Sequence, residues 1–185
     1  MRTAPSSPKL LGYRPMWTLA LSVALAGAPE CAAPSTSSEL RDALSAAEVA
    51  YGALDLEAFD AAIGQMRGLF PCVGDVLEPA LVASVHRLEG LDAFVTSAPT
   101  RSTMAFAAAR QVEPSYRFPE ELALAGSPLM REYEAVQGAG ASVQVPPPKE
   151  GALHLNGRAT LERSTSYPVV FQRTDAAGAV ADTAY

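Results

Sequence analysis

From residue 36 onward the apolar positions recur three and four apart. Leu40, Leu44, Ala47, Tyr51 and Leu54 share one face of a helix. The Thr36-x-x-Glu39 pattern before them is a capping box. Asp55 caps a second helix with the stripe Phe59, Ile63, Met66 and Phe70, stopped by Pro71. Pro79 and Pro99 take first-turn positions of a third and a fourth. The third turns Leu81, Val85, Leu88 and Val95 inward; the fourth turns Met104, Ala108 and Val112 inward and ends at Pro114. Ser127-Pro128 opens a fifth, in which Leu129, Tyr133 and Val136 pack and Gly138 terminates. Beyond "GAGASVQVPPPKE" the period falls to two. Leu153 and Leu155 alternate with polar neighbours up to Asn156-Gly157, a strong two-residue hairpin signal. "YPVVFQRTD" then reads as a strand and "DAAG" as a turn before "AVADTAY". The fold class is α+β: five helices followed by a small antiparallel β module.

The start of the chain has a different character. Arg2, Lys9 and Arg14 precede an apolar run from Met16 to Ala28 with no acidic residue among them. That run is 13 residues long, short of the roughly 20 a membrane-spanning helix needs. Such a stretch is the pattern of a secretory signal. Ala26-Gly27-Ala28 and Cys31-Ala32-Ala33 both have the small-x-small form a signal peptidase takes, and a proline follows each. Cys31 is also a candidate lipid acceptor, although Ala28-Pro29-Glu30 departs from the usual residues before one. The expected organisation is a signal peptide over 1–28, a flexible tether over 29–37, a helical domain over 38–138, a Gly/Pro-rich linker over 139–150 and the β module over 151–185. The expected location is the periplasm or the cell surface.

Charge narrows the partners. The whole chain has 14 basic and 20 acidic residues, and removing the leader leaves 11 against 20, a net charge near −9. Such a field repels a phosphate backbone and an anionic bilayer, so the expected partner is an envelope protein, not nucleic acid. No membrane span is expected, and a lipid anchor at Cys31 stays open. If cleavage precedes Cys31, it can bridge to Cys72 in an oxidising compartment; buried packing is the commoner role for a cysteine at the end of an apolar helix.

Candidate chemistry is sparse. His86 sits one residue past the apolar stripe of the third helix, and His154 alternates with two leucines. Neither has a neighbour at metal-ligand spacing. No catalytic, cofactor-binding or metal-ligating residue is assigned. The alternative to a binding module is an envelope hydrolase using acidic residues or a Cys72/His86 dyad. Tyr116, Arg117, Phe118 and Tyr133 are candidate protein-contact residues, because aromatics and arginine anchor interfaces. Packing of the fifth helix on the fourth is the competing role.

The helices also repeat. Pro71 and Pro114 lie 43 residues apart; Ile63 and Phe106 stand eight before them, and Tyr51 and Phe94 twenty before. This resembles the tetratricopeptide repeat, a helix–turn–helix unit of 34 residues, here lengthened by "PCVGDVLEPALVA" and keeping Gly90 of the Leu-Gly pair. Gly151, Leu153, Leu155, Asn156, Gly157 and Pro168 resemble the PEGA-type β module of bacterial envelope proteins. Both resemblances imply a non-catalytic role in binding or surface organisation.

Overall fold

The computed structural model describes residues 31–136 and 140–185, and Cys31–Tyr185 is a single compact unit. The helices are α1 (Ser37–Gly52), α2 (Leu56–Leu69), α3 (Pro79–Val95), α4 (Pro99–Val112) and α5 (Pro128–Ala135), with a 3-10 turn at Phe70–Cys72. The strands are β1 (Ser142–Gln144), β2 (Leu153–Leu155), β3 (Arg158–Ala159), β4 (Glu162–Ser164), β5 (Phe171–Thr174) and β6 (Val180–Ala184). β1 and β4 form a two-stranded antiparallel ribbon, and the other four make a sheet in the order β3-β2-β5-β6. The expected stop at Gly138 lies outside the described residues, as does the leader over 1–28.

Helix starts follow the local chemistry. Thr36 and Glu39 form a complete capping box at α1. Asp55 accepts the Ala58 N–H at α2, and Ser127 accepts the Met130 N–H at α5. Pro79 and Pro99 occupy the first turns of α3 and α4. Leu40, Ile63, Met66, Leu88, Leu91 and Phe106 are fully buried in one core.

The ends of α1 and α3 are built alike. At the end of α1 the Leu54 N–H donates to Tyr51 O and the Asp55 N–H to Ala50 O. Forty-three residues on, at the end of α3, the Ser97 N–H donates to Phe94 O and the Ala98 N–H to Ala93 O. Leu54 and Ser97 both have positive φ, 59° and 57°. This is one helix stop built twice, a paired bond that closes the last turn over a left-handed residue. In each helix pair the residue eight before the proline is buried: Ile63 in α2, Phe106 in α4. Gly90 lets α3 and α4 approach, because a Cβ there would overlap the Phe106 ring.

Two inward assignments fail. Met104 is 40% exposed, and α4 instead buries Ala105, Phe106, Ala108, Ala109 and Val112. Leu54 is 80% exposed, because its left-handed backbone ends the helix and the face that predicted its burial ends with it. The segment expected as tether and linker is also partly structured. Ser35 bridges to Val73, and β1 falls within 139–150 and pairs Ser142 with Ser164.

The β module is seated on the helices through polar contacts. Gln172 of β5 is buried; its Nε2 donates to Asp75 O (2.9 Å) and Thr183 Oγ1 (3.1 Å), and its Oε1 accepts the Leu77 N–H (2.8 Å). The β2–β3 turn lands on the start of α3. Gly157 has φ +74°, and a Cβ there would lie 2.7 Å from Leu77 O and Pro79 N and 2.9 Å from Glu78 C. Those neighbours are backbone and cannot swing aside. Gly157→Ala should therefore cost about 2 kcal/mol, from left-handed strain plus partial undocking of the hairpin. A denaturant titration monitored by circular dichroism measures it; an unchanged midpoint would show that the hairpin does not rest on α3.

Candidate functional site

The four candidate contact residues do not make one surface. Phe118 and Tyr133 are buried. They stack edge-on at 4.8 Å between ring centroids, and Phe106 meets both, at 6.1 Å and 5.4 Å. Tyr116 is half-buried, with the Arg87 guanidinium 3.6 Å from its ring centroid. Arg87 is buried and donates to Glu113 (2.7 Å) and Ser84 (2.6 Å). Burial pushes the phenols of Tyr116 and Tyr133 above their ordinary range. Arg117 is exposed and donates to the carbonyls of Pro114 and Tyr116. This cluster fastens the loop after α4 and α5 onto α4; packing is what Phe118 and Tyr133 do.

Cys72 is half-buried and disulfide-bonded to Cys31, with 5.5 Å between the Cα atoms. A buried free thiol, the commoner role expected from its position, is therefore not what it provides. His86 is fully buried, deeper than its place beside the stripe suggested. Its Nε2 faces Asn156 Oδ1 and its Nδ1 faces the Tyr185 hydroxyl, each at 3.1 Å. Because the Asn156 oxygen only accepts, Nε2 carries the proton and Nδ1 accepts from Tyr185. Burial lowers the His86 pKa to about 4. The two members of the candidate dyad thus have other partners, Cys72 a sulfur and His86 two groups of the β module. His154 is half-exposed on β2. Among the described residues no three His, Cys, Asp or Glu side chains converge as a metal site, and no helix is long and apolar enough to cross a membrane.

What the fold does assemble is an apolar cleft at the end of the helical layer. It is about 360 Å³ in volume. Tyr51, Gly52 and Leu54 supply one wall from the end of α1, Phe94 comes from the end of α3, and Leu129 from the start of α5. The segment from Glu120 to Leu124 closes the other side. That segment lies against α1 at Gly52, where a Cβ would sit 3.4 Å from Glu121 O and from Leu122 Cδ2. Burial raises the Tyr51 phenol above its usual pKa.

Two leucines stand at the lips in water, Leu54 80% exposed and Leu124 68% exposed. Leu54 also carries a conformational cost. A left-handed backbone suits glycine, and a side chain there loses roughly 1 kcal/mol. Val49 and Leu56, which bracket the same turn in sequence, are exposed too. The sequence held a signal for this site that the periodicity masked. Asp55 caps α2, so the residue before it falls outside the α1 face whose period it continues.

Compared with protein-family models, curated proteins and solved structures, the chain matches none.

Proposed function

We propose that this chain is an exported, non-catalytic module of the cell envelope that binds another protein. The observation that carries the reading is the apolar cleft with Leu54 at its lip. An exposed leucine in a strained backbone conformation costs strain and contributes no burial to folding, and a partner surface that covers it supplies the burial that the fold does not. The two helix pairs with their shared stop support a tetratricopeptide-like reading of the helical part, in which short helical units present a binding face. The Asn156-Gly157 hairpin and the strand after Pro168 support the PEGA-like reading of the β module.

The Cys31–Cys72 bridge supports export, because disulfides persist in oxidising compartments. It favours cleavage before Cys31 and speaks against a lipid there, since one sulfur cannot carry both bonds. Intact-mass measurement of the mature protein tests this. The expected species begins before Cys31 and is two hydrogens lighter than the dithiol; a diacylated Cys31 would overturn it.

Leu54→Gly tests the binding reading. Glycine relieves the left-handed strain, so the variant should be as stable as the parent or up to about 1 kcal/mol more stable. It should nevertheless recover less of the partner that co-purifies from envelope extract. A more stable protein that retains its partner in full would remove the cleft from the account.

A further inference from the structure

The cleft also carries information on what fills it. We infer that its occupant is an aliphatic segment of a partner protein flanked by lysine or arginine. This rests on the binding reading above and adds the partner's chemistry to it.

Size argues for a macromolecule. A ligand small enough to lie within about 360 Å³ would leave the outer parts of Leu54 and Leu124 in water, where they stand now. Covering both lips takes a surface that reaches past the cleft on two sides. Apolar walls then call for aliphatic side chains in the contact.

Charge argues for a basic frame around those side chains. Glu120 and Glu121 line one side. Asp55 and Glu57 come one and three residues after Leu54 in the chain and are exposed; the Asp55 carboxylate caps α2. None of these four carboxylates is in an ion pair among the described residues. The arginines nearest in sequence are turned elsewhere: Arg131 donates to Gly126 O, and Arg117 to the carbonyls of Pro114 and Tyr116. The slot is thus apolar along its floor and acidic along the Glu120–Glu121 side. A partner with acids beside its leucines would meet like charge at that margin; one with lysine or arginine there meets opposite charge and is steered in.

The test uses the purified, oxidised chain and two fluorescent synthetic peptides. One has leucine and alanine bracketed by lysine pairs; its twin has glutamate in place of every lysine. Anisotropy titrations at low and at high salt should show the lysine peptide binding about tenfold more tightly than its twin, with the gap narrowing as salt screens it. Glu120→Lys combined with Glu121→Lys should shrink or reverse the preference. Leu54→Gly should weaken the lysine peptide without altering the thermal midpoint downward. Equal binding of the two peptides would overturn the basic-partner inference while leaving the cleft as a binding site. Binding of neither would overturn both. A lysine-peptide affinity indifferent to Leu54→Gly and to the charge reversal would place binding elsewhere and overturn the inference as well.

Discussion

Cys72→Ser is expected to cost about 4 kcal/mol of folding stability. The bridge to Cys31 spans 41 residues of sequence, and closing a loop of that length removes a large share of the unfolded chain's freedom. It also anchors a segment that is otherwise held by a few hydrogen bonds. The Ser35 N–H donates to Cys72 O (2.8 Å), the Gly74 N–H to Ser35 O (2.9 Å), and Ser35 Oγ to Leu69 O (2.8 Å). The Ser37 N–H reaches Asp75 Oδ2 at 2.7 Å and keeps that carboxyl below its ordinary pKa. These bonds depend on residues 31–37 staying beside the 3-10 turn. Urea unfolding with and without reductant measures the effect. Cys31→Ser should match Cys72→Ser, the double variant should lose no more than either, and reductant should leave all three unchanged. A parent protein indifferent to reductant would mean the bridge is not formed.

Acidification is the second large effect, and it runs through His86. The ring is neutral where it lies, with a pKa of about 4 in the fold against an ordinary value near 6.5 in the unfolded chain. Between those values the unfolded chain binds a proton that the folded chain does not. Stability is therefore fully present above about pH 6.5 and falls as the pH drops toward 4, by ~3 kcal/mol across the window. Burial is the main cause, and the neighbouring Arg87 charge adds to it; the bond to Asn156 works the other way. Glu48 opposes the trend, since burial raises its carboxyl pKa and protonating it in the fold is favourable. Denaturant midpoints between pH 7.5 and 4 check the slope. His86→Gln should flatten it, because glutamine does not titrate. A parent slope equal to the variant's would show that His86 does not govern acid sensitivity.

These effects meet at the seam between helices and sheet, and the seam was the least legible part of the sequence. Helix starts were readable because capping is local: Thr36, Asp55 and Ser127 each bond within three residues. The hairpin at Asn156-Gly157 was readable for the same reason. Long-range polar contacts have no such signature. Nothing near Gln172 in sequence indicates that its amide would meet Asp75 and Leu77, almost a hundred residues away. His86 looked like a boundary residue because its partners, Asn156 and Tyr185, lie on other elements. Counting along a face puts Met104 inward. In an alanine-rich helix several faces are equally small, and the tight contact of Gly90 with Phe106 decides which one packs. β1 is hard to read because Ser142–Gln144 is only three residues long, lies between a glycine and a proline run, and is exposed throughout; pairing with β4 makes it a strand.

The cleft had a comparable fate. Leu122 and Leu124 lie in "FPEELALAGSP", a loop whose composition marks no face. Their grouping with Tyr51, Leu54 and Phe94 arises because α1 and α3 stop in the same way and the loop crosses the end of α1.

Site-specific photo-crosslinking in intact cells tests the binding claim most directly. A photoreactive residue would be placed in turn at Leu54, Leu124 and Val143, the last an exposed apolar residue on the β1 strand. The expected result is one discrete heavier adduct from positions 54 and 124 and none from 143. No adduct at 54 and 124, or the same adduct from all three, would contradict the account.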